Sequence, residues 1–326
     1  MRRRDFITLI GGAAAPSLLC TLAARAQQPV VVGFLSQSWP DRFPYLPGLR
    51  QGLKDAGYVE GENLKIEYRW AEGQNDRLPA LADELVRRQA AVIMVGPGPA
   101  LLAASAATKT IPIIFQTGGD VVKQGLIASL NRPGGNLTGV MQLAATLTAK
   151  RLGLLHQLVP QAALIATLRY LQAVTTDDQA AALQAAARAL GVRLLEIGIG
   201  DERDFEPAFA KLTQEGAGAL FVGSASFFVS RRDQIVSLAG RHRVPAVYES
   251  REFNTIGGLM SYGTDFSTVY RQVGRYAGRV LNGEKVGDLP VVQPIAFDLV
   301  INLKTAKVLG LEVPPQLIAL ADEVIE

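Results

Sequence analysis

The chain has 326 residues, 48% of them hydrophobic, with 33 basic against 30 acidic side chains and a single cysteine. That length suggests two domains and is ample for a sizeable buried core. The near balance of charge argues against the broad positive field that nucleic-acid binding needs, and one cysteine excludes an internal disulfide.

The first 26 residues read as an export signal. Arg2-Arg3-Arg4 stands ahead of Phe6-Ile7, and a modestly apolar run follows to Ala24, loosened by Gly11, Gly12 and Pro16. It closes on Ala24-Arg25-Ala26, with small residues where a signal peptidase must fit. The paired arginines and weak hydrophobicity favour the twin-arginine route over a retained membrane anchor. A cut near Ala26 removes four arginines and one aspartate, leaving 29 residues of each sign, and takes Cys20 with it. The expected working compartment is the periplasm.

Apolar runs of strand length then alternate with helical patterns. Val30–Ser36 is β-branched and uncharged, as a strand covered on both faces should be. Leu46, Leu49, Leu53 and Ala56 fall at helical spacing before a stop at Gly57. Strands are expected at 64–70, 91–95, 111–116 and 137–141, with helices at 76–88 and 100–108. Val121–Leu130 reads as a short helix, and Arg132-Pro133-Gly134-Gly135-Asn136 as a tight connection without the Lys-Ser/Thr ending of a phosphate loop.

The pattern restarts with a helix over 146–158. Strands at 163–170, 192–199, 217–223 and 244–248 alternate with helices at 177–190, 205–215 and 228–242. The tail carries a strand at 257–262, a helix at 268–281, a strand at 294–302 and a helix at 303–310, closed by 316–326. Such alternation implies an α/β chain with two doubly wound parallel-sheet lobes, a closed (β/α)8 barrel being the competitor.

Four segments give the chain a resemblance to a known family. They are SLNRPGGNLTG (129–139), GGLMSYGTDF (257–266) with YRQVGRYAGRVLNGEK (270–285), LVINLKTAKVLGLEVPPQLIALADEVIE (299–326), and the leader RRRDFITLIGGAAA. In these the chain resembles the ABC-transporter substrate-binding proteins of the tryptophan/tyrosine type, which have the type I periplasmic-binding fold. The resemblance implies three interlobe crossings, expected near Leu143, Phe253–Thr255 and Gly287–Leu289. The N-terminal lobe would combine 28–142 with 256–286, and the C-terminal lobe 143–255 with 287–326. Two departures bear on specificity: Asp120-Val121-Val122 replaces an expected Asp-Pro-Val, and Leu171-Gln172-Ala173 stands where an Asn-Pro pair is usual.

In open α/β sheets ligands sit beyond the carboxyl ends of the strands. The loops there offer Ser36, Ser38 and Trp39; Gly96; Thr117 and Asp120; Ser224 and Phe227; Tyr248 and Glu249; and Tyr262 near a crossing. Helix N-termini and the serines suit a carboxylate, Asp120 or Glu249 an ammonium group, and Trp39, Phe227 or Tyr262 an apolar ring. Each also has a structural reading. The serines and Asp120 are good helix caps, Trp39 can pack on the rim, Tyr262 can be buried in the hinge, and Glu249 can pair with Arg251. Arg231-Arg232 reads as solvated surface.

Enzymatic signals are weak. His156 and His242 are far apart, no His/Asp/Glu cluster has metal-ligand spacing, and neither Gly-x-Ser-x-Gly nor a dinucleotide fingerprint is present. No cofactor is expected. The reading is of a monomeric, exported solute-binding protein of an ABC importer. It would close around a small polar solute, an amino acid and an aromatic one by resemblance, and deliver it to an inner-membrane permease. The alternative is a periplasmic sensor that presents the bound solute to a signalling receptor.

Overall fold

A computed structural model describes residues 28–142, 144–173, 176–294 and 297–326. The leader and the crossing expected at Leu143 lie outside the described residues. The first lobe is built on β1 (Val30–Ser36), β2 (Leu64–Trp70), β3 (Ile93–Val95), β4 (Ile113–Thr117) and β5 (Leu137–Met141), in the order β2-β1-β3-β4-β5. All four pairings are parallel. Helices α1 (Leu46–Asp55), α2 (Leu78–Arg87) and α3 (Pro99–Ala107) return the chain between strands. The apolar runs are what a sheet covered on both faces requires, and β3, β4 and β5 are buried throughout.

The second lobe contains α4 (Ala144–Leu158), β6 (Leu164–Tyr170), α5 (Thr176–Leu190), β7 (Arg193–Ile199), α6 (Phe205–Gln214) and β8 (Ala219–Val222). It continues with α7 (Ser226–Ser230), α8 (Arg232–Arg241), β9 (Ala246–Tyr248) and β10 (Met260–Gly263). After α9 (Phe266–Leu281) the chain returns for β11 (Asp298–Asn302), α10 (Leu303–Leu309), α11 (Pro315–Leu320) and β12 (Glu323–Ile325). The seven strands run in the order β12-β11-β10-β9-β8-β6-β7, with β10 and β11 antiparallel. Two separate sheets rule out the barrel.

Two local expectations need correction. Residues 121–130 form turns: one helical turn closes from Gln124 N–H to the Asp120 carbonyl. Gly125 then takes φ +70°, and the Leu126 N–H returns to the Val121 carbonyl, which ends the helix after that turn. The helix expected over 228–242 is broken at Arg231 into α7 and α8. The expected tight turn at 132–136 is present, with Gly134 and Gly135 both at positive φ.

The crossings also differ from expectation. β10 lies in the second sheet, paired with β9 and β11, so 256–263 does not join the first lobe. The chain crosses between Gly263 and Phe266, and α9 packs on α1. That packing is unusually close because glycines line it: a Cβ on Gly52 would overlap the Arg271 carbonyl, and one on Gly274 the Leu49 carbonyl. The return also comes later than expected. Val291 and Val292 still bond the first lobe, through the carbonyls of Leu130 and Gly139, so the chain recrosses between Val292 and β11.

Candidate functional site

The carboxyl ends of both sheets face one another across a cleft of about 960 Å³. Loops after β1, β3, β4 and β5 and the start of α9 form one wall. Loops after β6, β8 and β9 form the other. The lobes touch around it. The Gln37 amide donates to the Ser226 hydroxyl, Asn75 donates to Gln172 at 2.9 Å, and Lys123 pairs with Asp178 at 2.9 Å. The structure is therefore closed.

The first-lobe wall is aromatic. Tyr45 stacks on Tyr270 with centroids 5.4 Å apart, and Phe43 meets both edge-on at 5.4 and 5.0 Å. Phe266 lies 5.3 Å from Tyr45. A long-range fold contact assembles this wall, since Phe43 and Tyr45 precede α1 while Phe266 and Tyr270 sit on α9. Its polar atoms are unusually bare. The hydroxyls of Tyr45 and Tyr270 and the Oε1 atoms of Gln37, Gln116 and Gln142 are buried without a protein partner, and all five residues line the cleft. Buried polar groups nearly always have partners, so such a set calls for a polar ligand or ordered water.

The second-lobe wall is polar and charged. Ser224 and Glu249 line it, and the Ala225 N–H donates to Glu249 Oε1 at 3.1 Å. Behind them lies Arg151, fully buried, whose Nη1 donates to Ser224 Oγ at 3.1 Å and whose Nε donates to the Tyr262 carbonyl at 3.0 Å. Burial pushes the Glu249 carboxyl up, opposed by the Arg151 charge, and burial pulls the guanidinium down to about 10.

Of the residues expected from sequence, Ser38, Thr117, Ser224 and Glu249 line this cleft. The others stand elsewhere for identifiable reasons. Ser36 accepts from the Ser38 N–H and fixes the turn, and Gly96 leaves room for that hydroxyl, since a Cβ there would lie 3.0 Å from it. Asp120 caps the single helical turn by accepting from the N–H groups of Val122 and Lys123. Phe227 is core, stacked on Tyr170 at 4.5 Å, and Tyr248 is core against Phe253 at 4.5 Å. Tyr262 offers its carbonyl to Arg151 and packs its ring with the second-lobe core.

Trp39 lies at the lobe boundary outside the main cleft, and Arg231, expected in solvent, is buried over its ring. Arg251 pairs with Glu323 at 2.6 Å and leaves Glu249 to Arg151. Sequence reasoning did not single out Tyr45, Gln116, Gln142, Arg151 or Tyr270. Gln116 and Gln142 are polar residues ending uncharged strands, which is a usable signal. Among the described residues no group of three or more His, Cys, Asp and Glu side chains could hold a metal ion, and no helix is long and apolar enough to cross a membrane.

Comparison with known proteins agrees with this architecture. A family model described as ABC transporter substrate binding protein matches residues 28–325. A tyrosine-binding protein of Clostridioides difficile strain R20291 is 28% identical over 265 residues, spanning 81% of this chain and 76% of that protein. A conserved domain protein of Vibrio cholerae superposes with a TM-score of 0.82 at 25% identity, covering 91% of this chain and all of that one. A Streptococcus pneumoniae ABC domain in complex with L-Trp gives a TM-score of 0.80 at 23% identity, with the same coverage.

Proposed function

This chain belongs to the ABC transporter substrate-binding protein family, and we propose that it is the exported receptor of an importer for an aromatic amino acid. The observation that carries the reading is the closed cleft itself. One wall is a cluster of four aromatic rings, and buried, unpartnered amide and hydroxyl groups are interleaved with them. An aromatic side chain would lie against those rings, gaining apolar burial and ring–ring contact. The amino acid's polar end would take up the glutamine and serine groups, with its ammonium group directed to Glu249.

Ligand touching both walls binds the closed form more tightly than the open one, so it shifts the population toward closure. The closed receptor would then dock on a membrane permease. Binding without turnover fits a cleft that holds Glu249, Arg42 and tyrosines as its ionisable groups. The names of relatives that bind tyrosine and L-Trp support the ligand class, and the arginine-bearing leader supports work in the periplasm. The test is calorimetry against the twenty amino acids, with solution scattering on each binder. Micromolar or tighter binding of an aromatic amino acid, with compaction, is expected. Binding of none, or of aliphatic ones only, sinks the ligand class.

A further inference from the structure

Arg151 occupies the interior of α4, flanked one turn away by Leu147, Thr148, Leu154 and Leu155, where a leucine would complete the core. A buried guanidinium is costly unless its surroundings use it. Its contacts reach two functional places. Nε is bonded to the Tyr262 carbonyl, at the end of β10, one residue before the span in which the chain crosses to the first lobe. Nη1 is bonded to Ser224 Oγ in the cleft wall, and the Cζ atom lies 5.5 Å from the centre of the Phe221 ring. Ser224 stands beside Glu249, whose Oε1 accepts from the neighbouring Ala225 N–H at 3.1 Å. Gln179 clasps the Ser224 backbone, accepting from its N–H at 3.2 Å and donating to its carbonyl at 3.4 Å. The remaining Nη2 has no partner.

We propose that Arg151 is the positioning residue of the second lobe's half of the site, holding Ser224 and Glu249 toward a ligand's ammonium group and tying both to the strand end that enters the hinge. The proposal rests on reading the interlobe cleft as the ligand site. The charged and titratable groups that bear on Glu249 are Arg151 from α4, Glu252 from its own loop and Tyr45 from the opposite wall. Arg151 is the cation among them, and it favours the carboxylate together with Ser224 and the Ala225 N–H.

The test combines carboxyl carbon-13 NMR of the ligand-free protein with calorimetry, using L-tryptophan and L-tyrosine as probes. Wild type, Arg151→Met, Arg151→Lys, Glu249→Gln and the double variants are compared. In Arg151→Met the Glu249 titration midpoint should rise by about one pH unit or more. Affinity for whichever probe binds should fall at least about tenfold, recover in part in Arg151→Lys, and change less than about threefold in the Glu249→Gln background. An unmoved Glu249 titration, or equal losses with and without the Glu249 carboxylate, overturns the proposal. If neither probe binds wild type, the aromatic amino acid reading fails while the titration still decides the role of Arg151. Should Arg151→Met not fold, Arg151→Lys decides. It keeps the charge but cannot span both Tyr262 and Ser224, and full affinity in that variant overturns the proposal.

Discussion

The Arg231 guanidinium lies 4.0 Å from the centre of the Trp39 indole, across the boundary between the lobes. Glu202 holds Arg231 at 2.6 Å, and the indole packs against Gly73, where a Cβ would come within 2.7 Å of the ring. Neither residue lines the main cleft. The contact can form only when the lobes are together, so it favours closure without touching ligand. A desolvated pair of this kind contributes ~1–2 kcal/mol. Replacing Arg231 with Ala should therefore weaken ligand binding about 5- to 30-fold, through a smaller closed fraction. The chain has two tryptophans, so in a Trp70→Phe background the emission of Trp39 reports the contact directly. Arg231→Ala should leave that emission in its open-state form until more ligand is added. Unchanged affinity and emission would show that the contact does not bias closure.

Gln116 and Gln142 end adjacent strands of the first lobe, with Gln116 in register with Val140, so both side chains fall on the same sheet face as Val140. Each carries a buried amide oxygen without a partner. Replacement of Gln116 by Leu removes an unsatisfied group from the folded state. Stability should hold or rise, by up to ~1 kcal/mol, while affinity for an aromatic amino acid falls about tenfold or more. Thermal melting and calorimetry on the same preparation check both. A loss of stability with affinity intact would mean that the glutamine serves the fold.

The lobes were legible because uncharged, β-branched runs such as 30–36 and 113–117 can only be strands covered on both faces. The loops after them follow from topology, which is why Ser38, Thr117, Ser224 and Glu249 were found. The aromatic wall was hidden because Tyr45 and Tyr270 meet only through the packing of α1 on α9. The place of β10 was hidden too, since nothing in 257–262 tells which sheet an apolar strand joins. Arg151 did leave a trace: with Leu147, Leu154 and Leu155 one turn away, it stands on the apolar face of its helix. Arg231 left none, because a pair of arginines in a helical pattern reads the same whether or not an indole lies opposite.

The seam between α1 and α9 sets the geometry of that aromatic wall. Gly48, Gly52 and Gly274 each stand where a Cβ would collide with backbone of the other helix, and backbone cannot yield as a flexible side chain can. Gly274→Ala should therefore force the helices apart and cost ~1–3 kcal/mol, the ordinary penalty of overpacking. Because Tyr270 rides on α9 one turn earlier, ligand affinity should fall together with stability. Denaturant titration and calorimetry test the pairing. A stable variant with full affinity would show that the seam is looser than its glycines imply.

Asp298 opens β11 and is held in an unfavourable setting. Burial, then the charges of Asp265 and Asp322, raises its pKa from the ordinary 3.8. A carboxyl whose pKa is higher folded than unfolded binds more protons in the native state within that window, so stability falls as pH rises from about 4 through the folded value. At neutral pH the anion is a standing cost that Asp298→Asn removes. The amide variant should melt higher than wild type at pH 7, and the advantage should shrink toward zero by pH 3. Arg251, the neighbouring cation, is engaged by Glu323 and offsets the repulsion only in part. Melting curves across pH 3–8 decide the matter. An advantage of the same size at both ends would place the effect in packing, and no advantage at pH 7 would mean that solvent already screens the three carboxylates from one another.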